Sequence, residues 1–216
     1  MTWNDVTVFQ WQQLNELYTG EQDYTEAQLE TMTLGILLNM TEAEVDSQTA
    51  QWRRDKLIEI NFVHVPPAGK PQRFIKVNGR RYRCIYDVRQ IRAARYIEAK
   101  HFGKKPEDNL HKIAASMVIP QRRTWLGWRD AEYDAANHLQ YANDLLMAPV
   151  TAVMGSVVFF CEVYRRWMAG SLDYLSAEMM AKGLTKEEAT GIVMDLWRFT
   201  DGITKSLWWR NTSESR

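Results

Sequence analysis

The side chains with the most potential for chemistry are histidines, cysteines and paired carboxylates, and none of them forms a catalytic or metal-binding motif. The histidines are His64, His101, His111 and His138, and none stands in an HExxH pattern or at metal-ligand spacing from a cysteine. The pairs Glu107-Asp108 and Glu187-Glu188 fall in the first turns of predicted helices, where the helix dipole accounts for them. GxSxG, P-loop and GxGxxG patterns are absent from the sequence. We therefore predict a protein that is not an enzyme and that uses no metal or cofactor.

A basic stretch with interspersed tyrosines between residues 76 and 105 is the second chemical signal. Its residues are Lys76, Arg80, Arg81, Tyr82, Arg83, Tyr86, Arg89, Arg92, Arg95, Tyr96, Lys100, Lys104 and Lys105. Nucleic-acid binding uses such cations on phosphates and such rings on bases. However, the acidic first fifty residues would repel a polyanion, and the isoelectric point is near 6.9. We therefore favour a surface that faces a protein or solvent, and keep contact with nucleic acid as the alternative.

Nine tryptophans in 216 residues are the third signal. Aromatic residues are enriched at protein interfaces, but a helical core also uses them, and both interpretations stay open for most of these residues. Trp208 and Trp209 favour an exposed anchor, because neighbouring residues of one helix cannot both face the same core stripe. The candidate partner-binding residues are Lys76, Arg80, Arg81, Arg83, Trp125, Trp128, Trp208 and Trp209.

The net charge is zero, but the charges are segregated along the chain. Residues 1–50 contain nine acids and no Lys or Arg, whereas residues 51–130 contain 19 basic and 7 acidic side chains. Complementary poles of this kind steer encounters and suit head-to-tail contacts between copies. The alternative is that the acidic helices pack beside the basic middle of the same chain.

The composition predicts a folded globular protein in a reducing compartment. Hydrophobic residues make up 45% and charged residues 25%, and the first residues show no secretory signal. The two cysteines, Cys84 and Cys161, have apolar neighbours and are predicted to be buried, reduced thiols. Residues 145–161 carry no charge, but they include Pro149 and Gly155, and no second apolar stretch accompanies them. We therefore predict a buried central helix and no membrane partner.

Local signals divide the chain into three regions of one domain. Residues 1–61 are predicted to be acidic N-terminal helices, with capping boxes at Thr25 and Thr41. Residues 62–87 are predicted to be a loop and a basic β-hairpin, in which an Asn78-Gly79 turn pairs Val77 with Arg80. Residues 88–210 are predicted to be a helical core with an apolar central helix and a tryptophan-rich C-terminal helix, and residues 122–129 a connector. The predicted fold class is mainly α, a single helical domain of about seven or eight helices with one small β-hairpin.

The order of these pieces resembles the tail assembly chaperones and uncharacterised virion-assembly proteins of tailed bacteriophages. The resemblance covers about residues 30–160 and rests on these segments: Leu34-Gly35-Ile36-Leu37-Leu38, Met40-Thr41-Glu42-Ala43-Glu44-Val45-Asp46, Leu57-Ile58-Glu59-Ile60-Asn61-Phe62, Val77-Asn78-Gly79-Arg80-Arg81-Tyr82, Asp87-Val88, Arg95-Tyr96-Ile97-Glu98, Asn109-Leu110-His111-Lys112-Ile113-Ala114-Ala115, Met147-Ala148-Pro149-Val150 and Phe159-Phe160. It implies no catalytic residues. It implies binding to an aggregation-prone phage protein such as a tape measure, or incorporation into the particle. The tryptophan-rich last forty residues are not part of this pattern.

These observations lead to two hypotheses about function. The first is a non-enzymatic phage assembly or structural protein that contacts a phage structural protein, or copies of itself, in the host cytoplasm. The second is a virion-packaged protein that contacts the phage genome through residues 76–105. The two differ in the expected effect of salt, because phosphate contacts made by arginines weaken steeply as salt rises.

Overall fold

The computed structural model describes residues 1–87, 93–132, 134–163, 166, 185, 187 and 188. The helices are α1 (Val8–Thr19), α2 (Glu26–Leu38), α3 (Glu42–Asp46), α4 (Ala50–Glu59), α5 (Ala93–Phe102), α6 (Pro106–Ser116), α7 (His138–Leu146) and α8, which covers residues 150–163. The strands are β1 (Phe74–Val77), β2 (Arg80–Cys84), β3 (Val118–Thr124) and β4 (Gly127–Asp130). The tryptophan-rich helix predicted at the C-terminus lies outside the described residues.

The predicted fold class is wrong, because the structure is a mixed α/β fold and not a mainly α domain with one hairpin. The four strands form one antiparallel sheet in the order β1-β2-β3-β4. The β1–β2 hairpin has the predicted register, with Val77 opposite Arg80 and Ile75 opposite Tyr82. The second hairpin, β3–β4, replaces the predicted connector.

The second hairpin belongs to the same sheet because its first strand, β3, pairs with the free edge of β2. Cys84 pairs with Val118 and Arg81 with Gln121, so β3 continues the sheet that the first hairpin begins. Pro120 follows the end of α6 at Ser116 and lies within β3 opposite Tyr82. Its carbonyl accepts a hydrogen bond from the backbone N–H of Ala131 at 2.8 Å. The helix thus ends before the proline, and long-range pairing makes a strand of the residues around it.

The predicted capping boxes begin helices where they are described. The Thr25 hydroxyl accepts a hydrogen bond from the Gln28 backbone N–H, and Thr41 does the same for Glu44. In each box the backbone N–H of the threonine donates to the side chain three residues later. The same arrangement begins α1 at Thr7, where Gln10 is the partner. The acidic N-terminal region is therefore helical as predicted, from residue 8 onward.

Most of the uncharged segment at residues 145–161 lies in the core, but it is not the single helix that was predicted, since α7 ends at Leu146 and α8 begins at residue 150. Val150, Val153 and Cys161 on α8 are buried, whereas Met147 and Phe159 are exposed. The N-terminal segment is fastened to the start of α8, since Val150 donates a backbone hydrogen bond to the carbonyl of Val6 at 2.9 Å. Both cysteines are buried and free, as predicted.

In the part of the chain that the structure describes, no helix combines the length and the apolar character needed to cross a membrane.

A close backbone approach fixes the loop before the sheet against α8. Gly69 and Gly155 meet there, and a Cβ atom added to Gly155 would lie 2.5 Å from the carbonyl carbon of Gly69. Only two glycines allow such an approach. Ser156 secures the same loop by accepting a hydrogen bond from the Gln72 backbone N–H at 3.1 Å. The loop therefore holds the start of β1 close to α8.

Candidate functional site

The two faces of the sheet differ sharply in polarity. Ile75, Tyr82, Cys84 and Val118 share the inner face and are buried in the core. The alternation of side chains along the strands places the neighbours of these residues on the opposite face. That outer face is half-buried or exposed and consists of Phe74, Lys76, Arg81, Arg83, Ile119, Gln121, Arg123, Trp128 and Asp130. The structure thus places Trp128 on the same surface as Lys76, Arg81 and Arg83 of the first hairpin.

Arg81 lies at the centre of this outer face and is stacked on aromatic rings. Its guanidinium carbon is 3.6 Å from the centre of the Phe74 ring and 5.5 Å from that of Trp128. A guanidinium over a ring face is attracted by the negative potential of that face. Arg81 therefore links β1 to β4 across the sheet and holds both rings in place.

Arg83 is neutralised by Asp130 on the same face. Its Nε donates to both carboxylate oxygens at 3.1 and 3.0 Å, and its Nη2 donates to Oδ2 at 2.7 Å. Gln121 donates a further hydrogen bond to Asp130 at 2.9 Å. These bonds favour the ionised carboxylate, so Arg83 above all holds the pKa of Asp130 below its usual value. The charge of Arg83 is therefore balanced by the charge of Asp130 within the sheet.

Arg80 fastens the first hairpin to α7 through Asp144. Its Nη1 donates to Oδ2 of Asp144 at 2.9 Å, and Asn78 donates to Oδ1 at 3.3 Å. The hydroxyl of Tyr82, a fully buried residue, donates to the same carboxylate. Burial, assisted by this hydrogen bond, raises the pKa of Tyr82 well above its usual value. We conclude that Arg80, a predicted binding residue, also positions the hairpin.

The β3–β4 hairpin carries the most exposed aromatic residue of the described chain. We call residues 121–130 the arm and Trp125 with Leu126 its tip. Trp125 is 91% exposed and Leu126 60% exposed. Gly127 has a φ of +110°, which favours glycine, and its carbonyl accepts a hydrogen bond from the Thr124 hydroxyl at 2.8 Å. The tip is thus a hydrogen-bonded turn that exposes two apolar side chains to solvent.

Arginines surround the tip on both faces of the arm. Arg122 pairs with Arg129 across the strands, and Arg123 pairs with Trp128. All three arginines are exposed. Like charges opposite each other repel, so the Arg122–Arg129 pair does not stabilise the hairpin by itself. Charged side chains on the edge strand β4 also discourage sheet-to-sheet aggregation.

Two of the four histidines, His111 and His138, are partly or fully buried, whereas His64 and His101 are exposed. His138 is buried, stacks on Phe102 with ring centres 5.6 Å apart, and has its Nδ1 3.3 Å from Oε2 of Glu98. Burial lowers the pKa of His138, and it lowers the pKa of His111 to about 4. No group of three or more metal-ligating side chains occurs among the described residues.

Two predicted site elements lie outside the described residues. These are Trp208 with Trp209, and the part of the basic stretch at residues 88–92. Lys76 is exposed on β1, as a binding residue requires. The arm was not predicted as an element. The local signal for its turn is Gly127, which has a positive φ.

No family model, no curated protein and no solved structure matches this chain significantly.

Proposed function

We propose that this protein is a non-enzymatic assembly or structural protein that acts through protein contacts made by the tip of the arm. The observation that carries the proposal is the exposure of Trp125 and Leu126 at the turn of the arm. Burying a tryptophan removes about 150–250 Å² of surface from water, and tryptophan and arginine are the residues that most often dominate binding energy. An apolar tip surrounded by Arg122, Arg123 and Arg129 suits a partner with an apolar recess and an acidic rim.

The resemblance to tail assembly proteins extends the proposal to a biological setting. It suggests a phage structural protein such as a tape measure, or further copies of this chain, as the partner. The setting would be the host cytoplasm during assembly, with retention in the particle as the other outcome. This setting stays a prediction, since it rests on the pattern of segments in residues 30–160 alone.

Genome binding through residues 76–105 is the second candidate, and the described contacts favour it less. Arg80 and Arg83 hold the carboxylates of Asp144 and Asp130, and Arg81 is stacked on Phe74. A phosphate would have to compete with these partners for the same guanidinium groups. Three of the four cations predicted as binding residues are therefore already engaged within the fold.

The test is size-exclusion chromatography with light scattering on the natively purified protein, at low and high salt, with absorbance at 260 and 280 nm. We expect the wild type to elute with a second polypeptide, its own or another, and with the absorbance ratio of pure protein. Trp125→Ser should lose that polypeptide, and Leu139→Ser, which removes a side chain 65% exposed on α7, should keep it. A peak that carries nucleic acid and loses it at high salt would contradict the proposal. So would a complex that persists in Trp125→Ser.

A further inference from the structure

A cleft lined by both apolar and polar residues lies between α1, α2 and the start of α3. Its volume is about 780 Å³, which is large enough for two side chains, and we call it the N-terminal cleft. Leu17, Met32, Ile36 and Met40 are the apolar residues that line it. Binding recesses usually have volumes of several hundred Å³ and combine apolar walls with a few polar groups. The N-terminal cleft is therefore a mixed recess, with apolar surface for an apolar side chain beside polar groups.

Carboxylates line the same cleft. Glu16, Glu21 and Glu42 contribute to its walls, and all three are exposed. Of the nine acids in residues 1–50, Glu30 and Asp46 form ion pairs with Arg53, and within the described part of the chain no other of the nine forms one. Among the described residues, the other seven acids of this segment are therefore not neutralised by an ion pair. The negative charge at the cleft remains available to a partner.

The arm carries charge of the opposite sign to the charge of the N-terminal cleft. Its tip presents the apolar side chains of Trp125 and Leu126, and the strands beside it carry three exposed arginines. Residues 118–129 contain no acid. Opposite charges around an apolar anchor give both specificity and rapid encounter. Tip and N-terminal cleft are therefore complementary in charge and in polarity.

The tip does not occupy the N-terminal cleft of its own chain, because Trp125 is almost fully exposed in the folded monomer. We propose that the tip of the arm of one copy inserts into the N-terminal cleft of a second copy. This inference rests on the proposed function and names its partner. The two surfaces are different, so the contact is heterologous and repeats from copy to copy, giving a ring or a filament.

The test mixes two variants that each damage one side of this contact. Trp125→Ser removes the anchor and leaves the cleft, whereas the double variant Glu16→Lys with Glu21→Lys reverses the charge of the cleft and leaves the tip. Glu16 lies near the C-terminal end of α1, where lysine suits the helix dipole. Circular dichroism and thermal unfolding of each variant verify that it folds. Matched controls are Leu139→Ser for the tip and Asp55→Lys, an exposed acid on α4, for the cleft.

Light scattering at rising protein concentration measures how strongly the wild type and each variant associate. The wild type should form species larger than a dimer, and each damaged variant alone should associate at least about tenfold more weakly. An equimolar mixture of the two variants should form a dimer and nothing larger, because one intact tip and one intact cleft remain. The controls should behave like the wild type. High salt should weaken the association without abolishing it, since the apolar anchor remains.

Three results would overturn the self-contact. They are a monomeric wild type at every concentration, a mixture that stays monomeric, and variants that associate as the wild type does. If the mixture stays monomeric while the wild type still carries a different polypeptide that Trp125→Ser loses, the self-contact fails and the proposed function stands. If the wild type carries nucleic acid and no polypeptide, both fail.

Discussion

Replacing Asp144 by alanine should loosen the first hairpin from α7 and destabilise the whole protein. The carboxylate accepts hydrogen bonds from the buried hydroxyl of Tyr82, from Arg80 and from Asn78. Without it, the Tyr82 hydroxyl loses a charged acceptor in the core. The hairpin carries Lys76 and Arg81 of the outer face, so the same change disturbs the surface that the arm extends.

The magnitude follows from how deeply each donor is buried. A hydrogen bond to a charged group contributes about 1.5–3 kcal/mol, and the Tyr82 bond belongs to this class because the residue is fully buried. Arg80 and Asn78 are exposed, and exposed pairs add only about 0–1 kcal/mol. The free energy of unfolding should therefore fall by about 2–4 kcal/mol for Asp144→Ala. For a chain of this size, Tm should then fall by about 4–16 °C.

The assay is urea unfolding followed by tryptophan fluorescence, for Asp144→Ala, Tyr82→Phe and the double variant. The two residues share a bond, so the cycle should show a coupling energy of about 1–2 kcal/mol. Asp55→Ala, at an exposed carboxylate on α4, is the matched control and should change stability by less than about 0.5 kcal/mol. Equal effects of Asp144→Ala and Asp55→Ala, or a coupling energy near zero, would refute the reasoning.

Three further predictions concern packing and charge. Gly155→Ala places a Cβ against the backbone of Gly69 and should lower the free energy of unfolding by about 1–3 kcal/mol, so an unchanged urea midpoint would count against the close approach. The pKa of His111 is about 4 in the fold, below its value of 6.5 when exposed, so the unfolded chain binds the extra proton and stability should fall as pH drops between these values. His111→Gln should flatten this part of the stability profile, and a profile identical to the wild type would contradict the burial argument. Arg83→Gln should let the pKa of Asp130 rise toward its usual value in an NMR titration, and an unshifted titration would show that Arg83 does not hold the carboxylate.

The helical half of the fold was predictable because its signals are local. Thr25 and Thr41 each stand three residues before a side chain that completes a capping box, and both helices begin there. The Asn78-Gly79 turn fixes the first hairpin in the same way, since both residues adopt positive φ. In each case a few neighbouring residues determine the geometry.

The second hairpin was not predictable by these means, because its formation depends on a partner distant in sequence. Val118 pairs with Cys84 and Gln121 with Arg81, and no local spacing reveals this register. Pro120 and the aromatic residues that follow gave a stronger local signal for a helix end and a connector than for a strand. The helix does end before Pro120, at Ser116, but pairing with β2 makes a strand where a connector was predicted.

The candidate site was partly predictable for a related reason. Residue type was enough to select Arg81, Arg83, Trp125 and Trp128, all of which lie on the sheet or the arm. The role of each of these residues depends on contacts that the sequence does not show. Arg83 is paired with Asp130, Arg81 is stacked on Phe74, and Trp125 is almost fully exposed.

Photo-crosslinking from the tip of the arm tests the central claim most directly. A photo-reactive benzoylphenylalanine replaces Trp125 in the full chain, the same residue at the exposed position 139 serves as the control, and mass spectrometry identifies the adducts. If the protein acts through contacts of the tip, position 125 should give adducts with polypeptide, and position 139 should give few. Adducts with nucleotides, or equal yields from the two positions, would contradict the account.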